Sequence, residues 1–352
     1  MKGRKKIAVG IIAVGIIIAL LMPFPIPGTP APMSILEYLR NYLLLFYDIE
    51  LPRISLSPEP EIIPKEKIAF AVIPDYDYGS IYIADANGKN ITLFIKDIRI
   101  RGDLSWSPDG QNIAFIGIFK MQDNGNNIYV VNMQGKITQL TKIKEKSFQT
   151  LCWSPDGKKI VFDAAPNQKT ESGYTTGEPD IYIMNANGTN ITKIVEKGGT
   201  PVWSPDGKKI AFTSYREDDY GNIYIINIDD GNMTKLTIRG SYPTWSADGK
   251  KIAFVAGVEE SERVWVPQIF TINIDGSNLT VLTHFRSEDF KEMGIKEISY
   301  SPDGKKIAFT IRSTRIEQER AGYTRYPQVY MINADGANLI RIAEGEHPTW
   351  SP

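Results

Sequence analysis

The sequence predicts an all-β fold, a six-bladed β-propeller of four-stranded antiparallel blades, and three observations lead to it. The motif Trp-Ser-Pro-Asp-Gly-Lys-Lys-Ile-Ala-Phe, or a close variant, recurs from Trp106 to Tyr300. A segment of the type Ile-Tyr-Ile-x-Asn-x-x-Gly recurs between the copies, and the chain ends on an incomplete copy that begins at Trp350. A repeat of about 40–50 residues that contains several short strands has the size of one propeller blade.

Each repeat is interpreted as four strands joined by short turns. The tryptophan ends the innermost strand, and Ser-Pro-Asp-Gly forms a tight turn because proline presets φ, aspartate bonds the backbone and glycine accepts a positive φ. Lys-Ile-Ala-Phe begins the second strand, and the alternating, β-branched Ile-Tyr-Ile segment is the third. Asn-Gly or Asp-Gly then predicts a hairpin into a fourth strand rich in threonine and leucine.

The two ends of the repeat region complement each other. The first Lys-Ile-Ala-Phe segment, Lys67–Phe70, has no tryptophan motif before it, and Trp350 has no such segment after it. We therefore expect the last strand to pair with the first and close a ring over residues 65–352.

The N-terminal segments predict a separate, membrane-related part. Residues 1–22 carry four positive charges before an uncharged apolar run, which indicates an uncleaved signal anchor or a cleaved signal peptide. Residues 23–33 are a proline-rich spacer, 34–48 predict an apolar, amphipathic helix, and 49–64 a linker. The predicted location is a single-pass cell-membrane protein with its propeller extracytoplasmic, or a secreted protein if the anchor is cleaved. The helix could dock on the propeller, lie on the membrane surface or pair with another copy.

Composition narrows the functional classes. The 40 basic and 41 acidic residues nearly balance, which argues against a nucleic-acid partner. The single cysteine, Cys152, allows neither an internal disulfide nor a cysteine metal site. There are only two histidines, His284 and His347, and the sequence contains no nucleophile elbow, zinc-protease motif or P-loop.

The repeats carry a family resemblance. WSPDGKKIAF and IYIMNANGTN resemble the WD40-like, PD40-type repeats of TolB-type β-propellers, over about four fifths of the chain. Similar repeats occur in the propellers of prolyl oligopeptidases and tricorn-type proteases, whose catalysis lies in a separate domain that this sequence does not contain. TolB proteins also have an N-terminal α/β domain, again not found here. The resemblance implies a TolB-like propeller and not the role of TolB in an envelope complex.

Strand order predicts that one face of the propeller is more elaborate than the other. The Ser-Pro-Asp-Gly and Asn/Asp-Gly turns share one face, and the longest insertions share the opposite face, where binding loops are expected. On this loop-rich face a protein or glycan partner is expected to contact Tyr174, Glu178, Trp265, Phe285, Arg315, Arg320, Tyr323 and Arg325.

A second candidate site is a ring at the channel mouth, three residues before each tryptophan or tyrosine of the motif, where the innermost strand is expected to start. The ring consists of Asp103, Thr150, Thr200, Tyr242, Glu297 and His347. Two carboxylates and an imidazole could hold a cation such as Ca²⁺ or a small polar ligand, although a solvated channel explains them as well. No other cofactor is expected.

Three functions remain open from the sequence. The first is a non-catalytic, membrane-anchored scaffold that binds a partner through its loop-rich face. The second is a hydrolase or lyase at the channel mouth, with Asp103, Glu297 and His347 as acid and base groups. The third is a structural component of a cell-surface assembly.

Overall fold

The structure is a computed structural model, and it describes residues 66–73, 78–118, 126–170, 173–217, 221–237, 239–262, 264–287, 294–312 and 327–352. The chain divides into two compact units, residues 1–62 and 63–352, and all described residues belong to the second. The predicted anchor at 1–22, spacer at 23–33, helix at 34–48 and linker at 49–64 lie outside the described residues. No helix within the described ranges is long and apolar enough to cross a membrane.

The described residues form 24 strands. The first twelve are β1 Lys67–Val72, β2 Gly79–Asp85, β3 Thr92–Trp106, β4 Asn112–Ile118, β5 Asn127–Asn132, β6 Ile137–Gln139, β7 Lys146–Trp153, β8 Lys159–Thr170, β9 Gly173–Thr176, β10 Asp180–Asn185, β11 Thr192–Val195 and β12 Gly198–Trp203. The others are β13 Lys209–Ser214, β14 Asn222–Asn227, β15 Met233–Lys235, β16 Ser241–Trp245, β17 Lys251–Ser261, β18 Val264–Asn273, β19 Thr280–Val281, β20 Gly294–Tyr300, β21 Lys306–Arg312, β22 Gln328–Asn333, β23 Ile340–Glu344 and β24 Glu346–Trp350.

The Ser-Pro-Asp-Gly turns have the predicted hydrogen bonds. In the copy that begins at Ser154, its hydroxyl donates to Asp156 at 2.7 Å, and the Gly157 N–H donates to the Ser154 carbonyl at 2.9 Å. Gly157 has a φ of 69°, which a residue with a Cβ adopts only at a cost. The turn therefore requires the residue types that the motif supplies.

Aromatic pairs explain why the second and third strands keep their motifs. The phenylalanine of each Lys-Ile-Ala-Phe segment lies against the tyrosine or phenylalanine of the neighbouring Ile-Tyr-Ile strand. Ring centroids are 5.5 Å apart for Phe115 and Tyr129, and 6.0 Å apart for Phe309 and Tyr330. All six phenylalanines of these segments are almost fully buried, so the repeat places one aromatic pair in the core of each unit.

The structure is a β-propeller with four-stranded antiparallel blades. Hydrogen bonds join the described strands into five continuous sheets, so the sheets do not correspond one to one with the six predicted blades. Three sheets have four strands, one has four strands with β9 attached to β8, and one has seven strands in the order β24-β1-β2-β3-β4-β5-β6. The reason is β3, which is continuous over 15 residues. Its first half pairs with β2 and its second half with β4, so two four-stranded sets share one strand.

The predicted pairing between the two ends of the repeat region is present. Ile68 lies opposite Trp350 in the β1–β24 ladder, and Ala69 lies opposite Thr349. The Lys67 N–H donates to the Ser351 hydroxyl, and the Ser351 N–H donates to the Lys67 carbonyl, both at 2.7 Å. The innermost strands β3, β7, β12, β16, β20 and β24 contact one another in turn, and β24 contacts β3. The strands therefore close around a central axis.

Candidate functional site

The predicted ring residues lie in β-bulges of the innermost strands. The ladder between the innermost and second strand is interrupted at the same place in successive sheets, for example between Phe148 and Leu151 and between Lys296 and Ser299. Four ring residues have left-handed backbones, with φ of 50° at Thr200, 53° at Tyr242, 54° at Glu297 and 56° at His347. Non-glycine residues rarely adopt this conformation, and bulges often re-aim a side chain beside a functional site.

The expected position of the ring within the strands needs a correction. Thr150 and Glu297 were expected where the innermost strand starts, but β7 starts at Lys146 and β20 at Gly294. The strand continues through the bulge because pairing resumes on the far side. The sequence marks the position by its distance from the tryptophan but contains no signal for the bulge itself.

All six ring residues line one cavity. It has a volume of about 110 Å³ and is bounded by Asp103, Thr150, Thr200, Tyr242, Glu297 and His347 together with the residues that follow each of them in the strand. The prolines at 201, 243 and 348, each directly after a ring residue, belong to the same wall. The bulges thus converge on one small polar space on the axis.

Three charged side chains meet at this cavity. His347 Nδ1 lies 2.8 Å from Asp103 Oδ1 and 3.3 Å from Glu297 Oε1. The backbone N–H of His347 also donates to Glu297 Oε2 at 2.9 Å. These residues belong to the bulges of β3, β20 and β24, so the cluster forms only when the ring is closed.

Three residues that the sequence analysis did not single out complete the cluster. Arg312, near the end of β21, pairs with Glu297 at 3.4 Å and also with Glu346. The Thr310 hydroxyl donates to Glu297 Oε2 at 2.7 Å. Thr310 directly follows Lys-Ile-Ala-Phe and lies across the ladder beside the bulge, and this place in the repeat was the signal that could have identified it. Arg312 and Glu346 lie on different strands that only the folded ring brings together, so no local motif marks them.

Asp163 is a further buried carboxylate that the sequence analysis missed. It accepts the Thr150 N–H at 2.9 Å, the Thr150 hydroxyl at 2.8 Å and the Thr200 N–H at 3.0 Å. It therefore bridges the bulges of two successive inner strands, β7 and β12. Burial raises its pKa, and its backbone and threonine donors act in the opposite direction. Its contacts are those of a residue that holds the ring in shape.

The charges of the cluster depend on one another. Burial lowers the pKa of His347, but the charges of Glu297 and Asp103 outweigh it and raise that pKa from 6.5 to about 9. Burial raises the pKa of Asp103 from 3.8 to about 6, against the hydrogen bond and charge of His347. Burial also acts to raise the pKa of Glu297, but His347 and Arg312 overcome it, so this pKa lies below its usual value. At neutral pH the cluster is therefore an imidazolium among carboxylates.

The same three side chains have the spacing of a metal site. Donor atoms of Asp103, Glu297 and His347 all lie within 4.8 Å of one another. A metal ion would have to displace the proton that His347 retains up to about pH 9. Ca²⁺ also prefers oxygen ligands to imidazole. The residues fit an internal ion pair better than a calcium site, and the bound cation considered from the sequence stays a prediction.

The residues predicted for partner binding have different surroundings. Trp265 lies on the β17–β18 hairpin with its side chain 52% exposed, and Arg239 Cζ lies 5.6 Å from its ring centroid. Glu178 is exposed and pairs with Lys197 at 2.9 Å. Phe285 instead packs against the core, with its ring centroid 6.5 Å from that of Phe309. Of Tyr174 the structure describes only the backbone, and Arg315, Arg320, Tyr323 and Arg325 lie outside the described residues.

Comparison with known proteins agrees with this architecture. The sequence profile of the TolB beta propeller domain, PD40, matches residues 169–289, which include strands of three successive sheets. The propeller of this chain is TolB-like. The match lies within the repeats, as the resemblance of the motifs predicts.

Solved structures share the fold of this TolB-like propeller. The TolB of Acinetobacter baumannii superposes with a TM-score of 0.62 at 23% identity, over 81% of this chain and 66% of that one, slightly less than two thirds of its length. A TolB-type protein from Agrobacterium tumefaciens gives a TM-score of 0.57 at 20% identity, over 80% and 91% of the two chains. A chain of a nidogen/laminin complex gives 0.58 at 12% identity, over 82% and 98%. A search of curated protein sequences finds no match.

Proposed function

We propose that this chain is a non-catalytic, extracytoplasmic scaffold whose TolB-like propeller binds a protein or glycan partner at the face that carries the cavity. The carrying observation is the convergence of Asp103, Glu297 and His347 from three separate strands on one small polar cavity. Such convergent polar groups in a concave site are typical of ligand recognition. A scaffold of this kind needs a rigid propeller and a membrane tether. The N-terminal segment, with its positive charges before an apolar run, is the reason to propose the tether.

The charge balance at the cavity favours a cationic group of the partner. Asp103, Glu297 and Glu346 supply three carboxylates, and His347 and Arg312 supply two positive charges. The remaining negative charge is assigned largely to Asp103, whose side chain has one hydrogen-bond partner among the described residues, the imidazolium, and whose burial disfavours its charge. A lysine, arginine or amino-sugar group at the mouth would compensate it.

The hydrogen bonds of the cluster favour binding over proton transfer. Glu297 Oε2 already accepts from the His347 N–H and the Thr310 hydroxyl, and its other oxygen faces His347 and Arg312. A carboxylate with its acceptor sites occupied is a poor general base. The same bonds fix the side chains and so lower the entropy lost when a partner binds.

A blade count of six is part of the proposal. It is supported by the two halves of β3, which pair with different neighbours, and by the six innermost strands that contact one another in turn. Each of the six proposed blades has one strand of the Lys-Ile-Ala-Phe type and one of the Ile-Tyr-Ile type.

Capture of partners from solubilised membranes tests the proposal. The intact chain is compared with two variants. Asp103→Asn removes one of the three carboxylates and with it the net negative charge of the cluster, and Trp265→Ala truncates the exposed ring. The control is Lys158→Ser, because Lys158 is 80% exposed on a Ser-Pro-Asp-Gly turn of the opposite face. We expect the intact chain and the control to retain the same partner. The Asp103→Asn and Trp265→Ala variants should each retain less of it. Equal retention by all four proteins contradicts the proposal.

One observation favours a second candidate, a hydrolase or lyase at the channel mouth. Its acid and base groups, Asp103, Glu297 and His347, do converge, and a carboxyl group with a pKa of about 6 is a common feature of active sites. Mass analysis of the captured material separates the two functions. A scaffold returns its partner unchanged, whereas a hydrolase or lyase returns a cleaved product.

A further inference from the structure

The β17–β18 hairpin extends beyond the sheet to which it belongs. The two strands pair with each other from Lys251 opposite Asn273 to Ser261 opposite Val264. The inner neighbour, β16, pairs with β17 only as far as Val255, and the outer neighbour, β19, pairs with β18 only at Phe270 and Thr271. Residues 256–262 and 264–268 therefore form a two-stranded extension that has no neighbouring strand among the described residues.

The extension is held in place at both of its faces. On one face the Trp265 ring lies against Gly257, where an added Cβ would meet the ring at 3.3 Å, and Arg239 lies over the same ring. On the other face Glu260 accepts the Ser287 N–H at 3.0 Å. These contacts come from the links before and after the sheet, so the hairpin is braced by both, and no described strand covers its edges.

Backbone alternation identifies which groups face the open edge of β17. The Ile274 N–H donates to the Lys250 carbonyl, and the Ser246 N–H donates to the Lys251 carbonyl. Even-numbered residues of β17 therefore bond β18, and odd-numbered residues face the side of β16. Beyond Val255 the N–H and C=O groups of Gly257 and Glu259 point to this side, and both residues are exposed and make no hydrogen bond within the described ranges.

The opposite edge of the hairpin is interrupted by proline. The Ile269 N–H and carbonyl both bond the β19 side, to Thr283 and Leu282, so odd-numbered residues of β18 face that edge. Pro267 occupies one of these positions and has no N–H to offer there. Proline at an edge is a common block to strand pairing. The β17 edge keeps the outward N–H groups of both Gly257 and Glu259, whereas the β18 edge lacks one at Pro267.

We propose that the free edge of β17 at Gly257 and Glu259 binds an extended, basic peptide segment of a partner protein by strand addition. Main-chain hydrogen bonds supply affinity in this mode, and neighbouring side chains select the sequence. The proposal deepens the proposed function and rests on it. The same edge of β17 pairs with β16 between Ile252 and Val255, and β16 contains the ring residue Tyr242. A bound peptide would therefore continue the line of β16.

Charge selects the class of peptide. The sequence of the hairpin, 256–268, has three glutamates and one arginine, Arg263, which lies outside the described residues. Two arginines from the neighbouring links also lie close by, Arg239 over Trp265 and Arg286 near Glu260, so the charge that is left for a partner is that of Glu259 and Glu262. Glu259 and Glu262 are exposed and form no ion pair within the described ranges. The cavity beyond Tyr242 also has an excess of carboxylates. A second copy of this hairpin would bring like charges together, whereas lysines or arginines would be attracted.

The test uses the full chain and fluorescent synthetic peptides of about eight residues, an ordinary strand length. The probe alternates lysine and threonine, and two comparison peptides replace lysine by glutamate or carry N-methyl groups on the central amides. Glu259→Pro removes the outward N–H and leaves the β17–β18 bonds in place, and Glu259→Gln keeps that N–H. Thermal unfolding verifies that both variants are folded.

We expect the lysine peptide to bind, and the N-methylated peptide and the Glu259→Pro variant each to lose roughly tenfold in affinity, or about 1.4 kcal/mol. Glu259→Gln should lose clearly less than Glu259→Pro. Absence of binding to the lysine peptide, or equal binding of the N-methylated peptide, overturns the proposal. If a membrane partner is retained by Glu259→Pro but lost by Asp103→Asn, strand addition fails and the proposed function stands.

Discussion

At the scale of single residues, the bulge positions decide the chemistry of the propeller. A bulge frees one residue of each innermost strand from the ladder and turns its side chain to the axis, so six unrelated side chains share one cavity. In β8, β13 and β21 the residue just after the Lys-Ile-Ala-Phe segment, or its Lys-Ile-Val-Phe variant, bonds the bulge across the ladder. Thr213 bonds Thr200 at 2.7 Å, and Thr310 bonds Glu297 at the same distance. The bulge position of the innermost strand thus supplies a residue that lines the cavity, and the second strand supplies a side chain that hydrogen-bonds it.

His347 is expected to titrate far from an ordinary histidine. Its pKa of about 9 lies above the usual 6.5, so its ion pairs contribute stability that is fully present below pH 6.5 and is lost as the pH rises through about 9. A shift of this size corresponds to roughly 3 kcal/mol. We expect NMR titration of the imidazole to give a pKa near 9, and Asp103→Asn to lower it, because one of the two facing carboxylates is lost.

The stability measurement separates this account from a simple change of packing. His347→Gln should remove the fall in the free energy of unfolding between pH 6.5 and 9, measured by urea denaturation across that range. Asp103 acts at lower pH, since its own raised pKa makes stability fall as the pH rises from 3.8 through 6. An imidazole that titrates near 6.5, or a pH profile that His347→Gln leaves unaltered, would refute the ion-pair cluster.

At the scale of strands, the closure between β24 and β1 carries the integrity of the ring. Trp350 is nearly buried, and its indole N–H donates to the Ser299 carbonyl of the preceding innermost strand at 3.0 Å. Trp245 occupies the same place in β16 and donates to the Val202 carbonyl at 3.2 Å. The C-terminal strand therefore packs as an interior strand does, although it lies at the end of the chain.

Two matched substitutions test this closure. Trp350→Ala and Trp245→Ala each remove one buried indole and are expected to cost similar amounts, about 3–5 kcal/mol for a large aromatic side chain. The measurement is the free energy of unfolding of both variants under one set of conditions. A much smaller loss for Trp350→Ala would mean that the closing strand is only loosely attached.

Particular elements show how far the sequence predicts this molecule. The Ser-Pro-Asp-Gly turns, the Lys-Ile-Ala-Phe strands and the pairing of Lys67 with the C-terminal residues follow from local residue types, and the structure has them. The continuity of β3 does not follow, because nothing in residues 92–106 marks where one sheet ends. Asp163, Arg312 and Glu346 were missed because their partners are set by register across the ladder, which no local motif contains.

At the scale of the whole molecule, the two faces of the propeller differ. The tight repeated turns leave one face uniform, whereas the opposite face has the extended β17–β18 hairpin and the exposed Trp265. The axial cavity lies among the bulges towards that second face, since the ring residues precede the tryptophans that lead into the turns. The proposed partner would bind among these features.

Site-specific photo-cross-linking in native membranes tests the central claim, that this face binds the partner, most directly. A photoreactive phenylalanine analogue replaces Trp265 in one protein and Lys158, on the opposite face, in another. We predict a discrete cross-linked product from position 265 and none from position 158. A product from position 158 alone, equal products from both positions, or no product from either would contradict the account.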